Sequence, residues 1–187
     1  EDITRHSLAL ARKVGYDNVG TWEWIVTKDG SPFLMEVNTR IQVENGVSAR
    51  ISKVKGQGDV DIIAEQIRIG YTQEDITFEG VGIEYRLIAE DPDNRFTPWV
   101  GRIDAFGWPS HPWLKMHTHV PTDESYEIPT EFDPNLALAI IWGENLEQAK
   151  ERGMQFLDEL TLQGENQSGE LKSNVNFLRA NTGRILR

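Results

Sequence analysis

Phe33-Leu34-Met35-Glu36-Val37-Asn38-Thr39-Arg40-Ile41-Gln42-Val43-Glu44 starts as a strand of large apolar residues and ends with polar side chains on every second position. With a period of two, Leu34, Glu36, Asn38, Arg40, Gln42 and Glu44 share one face for as long as the chain stays extended. That face carries two carboxylates, a guanidinium and two amides, which a core strand would not accept because unpaired buried charge is costly. Two acids with an oxygen-bearing amide suit a hard divalent cation. An arginine beside them suits a phosphate or a carbonate-like anion. A random polar alternation reads more simply as an edge strand with one solvated face. The residue types set this run apart and point to a cleft where a metal nucleotide meets a small anion.

Upstream, Gly20 to Thr27 alternates as a strand, and Lys28-Asp29-Gly30-Ser31-Pro32 has the composition of a turn. The two strands then make a hairpin that brings Glu23 across from Glu36, with Trp22 and Trp24 on the opposite face. Facing carboxylates repel unless a cation lies between them or one is protonated. Taken alone, Glu23 is a surface acid.

The whole chain sets the limits. It has 187 residues, 39% hydrophobic and 26% charged, enough for one large domain or two small ones with a real core. A net charge of −11 supplies no basic patch for nucleic acid. The lack of cysteine is compatible with a reducing cytoplasm. No apolar run approaches the roughly 18 residues of a membrane span, and no signal-peptide pattern is present. The chain opens without Met inside a helical pattern, as expected of a fragment.

In order along the chain, Asp2 to Val14 reads as a helix capped by Asp2 and ended by Gly15, with Ile3, Ser7, Leu10, Ala11 and Val14 on one face. After the Asn45-Gly46 turn, Val47 to Val54 fits strand or helix equally. Asp59 reads as the cap of a helix through Ile69 with Val60, Ile63, Ala64 and Ile67 inward, and Tyr71 to Glu79 as a connector. From Gly80 the pattern turns to strands: Val81 to Ala89 with Ile83, Tyr85 and Leu87 on one side and Glu84, Arg86 and Ile88 on the other, then Gly101 to Phe106, Trp113 to Val120 and Leu136 to Trp142. Asp91 to Trp99 is a Pro-containing loop. Glu144 to Leu160 is the clearest helix, with a core stripe of Leu146, Ala149, Gly153, Phe156, Leu157 and Leu160. Gln163 to Glu170 reads as a flexible polar loop, and Ser173 as the cap of a last helix.

Glu36-x-Asn38-Thr39-Arg40-Ile41-Gln42-Val43-Glu44 closely resembles the metal and bicarbonate segment of biotin carboxylase, within the ATP-grasp superfamily. The resemblance continues in the same order through Val14-Gly15-Tyr16 and Gly20-Thr21-Trp22-Glu23, Ala64 to Ile69, Glu84-Tyr85-Arg86-Leu87-Ile88-Ala89-Glu90-Asp91-Pro92, Phe132-Asp133-Pro134 and Leu171-Lys172-Ser173-Asn174. It implies the C-terminal half of the enzyme, in an α+β fold: residues 1–79 as the end of the ATP-grasp domain, and 80–187 as the β-rich C-terminal domain. By the same resemblance, Glu23 and Glu36, assisted by Asn38, would hold Mg²⁺ or Mn²⁺ on the ATP phosphates. Arg40, Gln42 and the backbone of Val43 would hold bicarbonate, and Glu44 would be its general base. Arg86 would serve biotin, pointing toward Arg40 and Glu44, while Ile25, Met35 and Leu171 would line the nucleotide pocket.

The implied partners are biotin on a carrier protein or domain, a carboxyltransferase component and further copies of the enzyme, within a biotin-dependent carboxylase such as an acyl-CoA carboxylase of fatty acid metabolism in the cytoplasm. Nucleic acid and membrane are not among them. The alternatives are a non-catalytic subunit-interaction module, or another ATP-grasp ligase such as a carbamoyl-phosphate synthetase. Spacing alone makes Arg86 equally a strand arginine in a surface ion pair. The chain also departs from the family pattern. Asn45-Gly46-Val47-Ser48-Ala49-Arg50 stands where His-Pro-Val-Thr-Glu is usual, Leu138 stands where a lysine is expected, and the loop before Leu171 is long.

Overall fold

A computed structural model describes residues 2–54, 60–68, 76–130 and 134–186. The chain divides into two compact units, Glu1–Thr77 and Phe78–Arg187.

The first unit opens with α1 (Asp2–Val14), ended by Gly15 at φ +67°, the left-handed geometry that favours glycine. Ile3, Ser7, Leu10 and Ala11 are half-buried, whereas Val14, expected on the same face, is exposed. Next come β1 (Thr21–Val26) and β2 (Pro32–Asn38), an antiparallel hairpin. Its turn is built by Asp29, whose carboxylate accepts hydrogen bonds from the hydroxyls of Thr27 and Ser31, with Gly30 at φ +87°. The Thr27 hydroxyl, followed by Ser31, holds the Asp29 carboxyl below its ordinary pKa. One face of β1 meets α1: Trp24 stacks on His6 and donates its indole N–H to Ser7 Oγ at 3.1 Å, while Trp22 meets the edge of Tyr16.

The segment that fitted strand or helix is both, α2 (Asn45–Ile51) running straight into β3 (Ser52–Val54). Helix α3 (Ile62–Arg68) is capped by Asp61, whose carboxylate accepts from the Ala64 N–H at 2.9 Å. The expected cap, Asp59, lies outside the described residues. Ile63 and Ile67, expected inward, form an exposed stripe one turn apart. The tail of the expected connector is β4 (Ile76–Phe78), paired with β3.

The second unit is built on β5 (Val81–Ile88), whose Ile83, Tyr85 and Leu87 are buried as the alternation predicts. The expected loop that follows is a short hairpin, β6 (Glu90–Asp91) and β7 (Thr97–Pro98), joined by a 3₁₀ turn at Pro92–Asn94. Then come β8 (Arg102–Gly107), β9 (Leu114–Thr118), β10 (Tyr126–Glu127) and β11 (Asn135–Gly143). The apolar strand β11 is the centre of an antiparallel sheet ordered β5-β11-β9. Helix α4 (Leu146–Glu159) is capped by Asn145, which accepts from the Gln148 N–H, and buries Ala149, Gly153, Phe156 and Leu157. A methyl group at Gly153 would overlap the Tyr85 hydroxyl, so glycine lets the helix lie close on the sheet.

The expected flexible loop is a hairpin instead, formed by β12 (Thr161–Asn166) and β13 (Gly169–Glu170). Asn166 holds it in place, donating to the Val100 carbonyl at 2.7 Å and accepting from the Ser168 N–H at 2.8 Å. These strands complete a second sheet, ordered β10-β8-β12-β13. The last helix is α5 (Val175–Ile185), and its first flanking residue is Asn174, not Ser173. The Asn174 side chain makes no capping bond because it is used elsewhere.

Candidate active site

Backbone register places Glu23 opposite Glu36, as expected, though not by regular alternation: the pairing of Val26 with Pro32 and Trp24 with Leu34 would by itself set Met35 there. Asn38 completes the group: its amide nitrogen donates to Glu23 Oε1 at 2.8 Å and lies 3.5 Å from Glu36 Oε1. The positive edge of an amide thus sits between two carboxylates, where a cation's charge is needed. A half-turn of that amide would present its oxygen, giving an all-oxygen donor set apt for Mg²⁺ or Mn²⁺. Among the described residues, no group of three or more His, Cys, Asp or Glu side chains is gathered in the way a metal site made of such groups would need. The donor set here is two acids and an amide.

The expectation that six alternate residues share one face does not hold beyond this group. Register runs Glu23 with Glu36 and then Trp24 with Leu34, so Met35 is an extra residue, a β-bulge. The bulge turns Leu34 to the Trp24 face, away from Glu36. At the other end the strand stops at Asn38. Arg40, Gln42 and Glu44 lie in the irregular segment between β2 and α2, where period two no longer applies. Asn45 closes the turn, its backbone N–H donating to the Gln42 carbonyl at 3.1 Å and its side chain to the same carbonyl at 2.8 Å.

Arg40 is exposed and donates Nη1 to the Ile41 carbonyl at 3.3 Å. Val43 is exposed, and its carbonyl lies 3.4 Å from the Asn45 amide. Glu44 occupies the N-cap position of α2, yet its side chain makes no capping bond. Ile25 and Met35 are both exposed, at 50% and 59%. Leu171, in the second unit, is half-buried, and its N–H donates to the Gly164 carbonyl at 2.9 Å.

Arg86 projects from β5 on the face opposite the core, with its side chain 49% exposed. Its Nε donates to Glu84 Oε1 at 3.1 Å. Strand β5 is an edge strand, and its outer side is occupied by Asn174. That side chain donates to the Arg86 carbonyl at 2.9 Å and accepts from the Ile88 N–H at 3.0 Å, while its own N–H donates to the Ile88 carbonyl at 3.1 Å. A single asparagine therefore does the work of a neighbouring strand at the position of Arg86. Sequence reasoning missed this role, although Asn174 closed one of the motifs it singled out. Leu138, the departure from the expected lysine, is the cross-strand partner of Arg86. Asp133 and Phe132 lie outside the described residues.

The biotin carboxylase C-terminal domain family matches residues 84–182, and the ATP-binding domain of the carbamoyl-phosphate synthase L chain matches residues 1–75. A chloroplastic biotin carboxylase of Populus trichocarpa is 40% identical over 164 residues, covering 84% of this chain and 30% of the relative. Among solved structures, the biotin carboxylase domain of Hydrogenobacter thermophilus 2-oxoglutarate carboxylase, in complex with MgADP, ADP and bicarbonate, is 32% identical with a TM-score of 0.75. It covers 92% of this chain and 36% of that one. Biotin carboxylase of Campylobacter jejuni in its β,γ-ATP complex is 29% identical with a TM-score of 0.79, over 93% of this chain and 37% of its own.

The chain belongs to the biotin carboxylase family. It has the α+β architecture of those ATP-grasp enzymes and spans about a third of the length of these relatives.

Proposed function

We propose that this chain carries the metal, bicarbonate and biotin residues of an ATP-dependent biotin carboxylase, with residues 1–79 contributed by the ATP-grasp domain and 80–187 by the C-terminal domain. The observation that carries the reading is the Glu23–Asn38–Glu36 group, followed within a few residues of chain by Arg40, Gln42 and Glu44.

Glu23, Glu36 and the Asn38 carbonyl would hold Mg²⁺ or Mn²⁺, which when bound neutralises phosphate charge. Arg40 binds the bicarbonate anion with Gln42 and the Val43 backbone. Glu44 removes its proton, and a carbonate oxygen attacks the γ-phosphorus of ATP with departure of ADP, leaving carboxyphosphate. A weak nucleophile needs both a positioned base and an oriented partner, and one short turn supplies them here. Carboxyphosphate breaks down to CO₂ and phosphate, and the phosphate takes the ureido N–H proton of biotin. That nitrogen attacks CO₂, and Arg86 neutralises the negative charge that develops on the ureido oxygen. Ile25, Met35 and Leu171 pack on the nucleotide.

The reading implies a biotin carrier protein or domain as substrate, a carboxyltransferase as the next component and self-association, and the cysteine-free sequence is compatible with the cytoplasm. No described helix is long and apolar enough to cross a membrane.

The test is a pair of substitutions in the full-length protein. Glu44→Gln keeps shape and one acceptor but cannot take a proton, so turnover falls by about 10²–10⁴-fold while equilibrium ATP binding at fixed Mg²⁺ holds. Glu36→Gln removes a charge from the cation shell and weakens ATP binding as well as turnover. Equal, mild effects of both would defeat the assignment.

A further inference from the structure

Glu84 is a buried acid with half of its hydrogen bonding unmet. Its side chain is only 7% exposed, Oε1 accepts from Arg86 Nε at 3.1 Å, and Oε2 is buried with no hydrogen-bond partner among the described residues. An exposed ion pair two residues apart on a strand would contribute little. Burial changes that: a carboxylate taken from water is costly unless paired, and what pairs it is held firmly in return. The neighbours across the ladder offer no competing charge. Glu84 faces Ile140, and Arg86 faces Leu138, both on central strand β11. The backbone of Arg86, meanwhile, is fixed separately by Asn174.

Resting on the biotin role of Arg86, we propose that Glu84 is the positioning residue for that arginine. Its buried carboxylate anchors the guanidinium through Nε and sets the plane in which the two terminal nitrogens meet the ureido group. A guanidinium donates from a rigid fork, so fixing Nε fixes the direction of the rest. Where the family pattern expects a lysine, this chain places Leu138 against Arg86.

Three variants of the full-length protein test this, assayed with free biotin. Arg86→Met loses biotin carboxylation. Glu84→Gln keeps volume but loses the charge-assisted bond, and Glu84→Asp keeps charge but withdraws the carboxylate by one carbon. Each Glu84 variant is expected to raise KM for biotin about tenfold, since one charge-assisted hydrogen bond is at stake, with KM for ATP unchanged. The Gln variant is also expected to keep its melting temperature, because it removes a buried charge with an unpaired oxygen. A purely structural role would lower the melting temperature and move both KM values together, which overturns the proposal. A folded Glu84 variant with KM for biotin within twofold of the parent also overturns it. If Arg86→Met still carboxylates biotin, the biotin assignment of Arg86 fails instead, and Glu84 loses its object.

Discussion

The two units arrange their side chains by different means. Every described apolar side chain that is fully buried lies in the second unit, where Leu87, Ala139, Ile141, Phe156 and Leu157 exclude solvent completely. In the first unit, Ile25, Val26, Phe33, Leu34 and Met35 of the hairpin all remain exposed. Yet the hairpin carries the more demanding geometry, three polar groups brought within hydrogen-bond distance. There the order comes from ladder register, a turn tied by Asp29 and the Asn38 amide. In the second unit it comes from packing. The polar group of the hairpin should therefore tolerate loss of neighbouring apolar atoms, while the second unit should not.

The sharpest way to break that contrast is Phe156→Ala. The ring is wholly buried between α4 and the sheet, beside Tyr85, so its loss leaves a cavity and should cost about 3–5 kcal/mol in urea unfolding. A loss under about 1 kcal/mol would mean that packing does not organise the second unit.

Asn174→Ala is the intermediate case, because it removes hydrogen bonds from a packed region. It leaves the Arg86 carbonyl and the Ile88 N–H without that partner on the outer side of β5. The expected loss is about 2–3 kcal/mol, the cost of unmet backbone groups. Amide exchange should accelerate at Ile88 first. Unchanged exchange there would remove Asn174 from its strand-like role.

The smallest effect belongs to the hairpin. Leu34→Ala removes a half-exposed side chain on the Trp24 face and should cost no more than about 0.5–1 kcal/mol. It should leave equilibrium Mg²⁺–ATP binding by the full-length protein unaltered, since register puts Leu34 away from Glu36. Weakened binding would show that the bulge does not separate the two faces.

The site was legible to the extent that its signals were local. The hairpin itself follows from two alternating segments and a turn five residues long, but the Glu23–Glu36 pairing needs the Met35 bulge, because regular register from Val26–Pro32 would set Glu23 against Met35. The Arg40 to Glu44 run was recognisable by residue type, although the face-sharing argument behind it was wrong: the bulge at Met35 and the strand end at Asn38 interrupt the period. Exposed Ile63 and Ile67 failed for a related reason. Helical spacing marks a stripe, but what covers the stripe is a property of the folded chain.

Sequence by itself determined the β5 alternation, the α4 stripe with Gly153 inside it, the antiparallel hairpin and the family motif. Each rests on the fixed geometry of neighbouring residues, with periods of 2 and 3.6 and the conformational freedom of glycine. Only the tertiary structure decided that residues 161–170 form a hairpin, that Asn174 serves an edge strand 86 residues away, and that Glu84 is buried against Arg86 with one oxygen unpaired. A glutamate on the polar side of a strand reads as solvated until the fold closes over it. Burial and long-range hydrogen bonds depend on which segments meet, and no local pattern in the chain encodes that meeting.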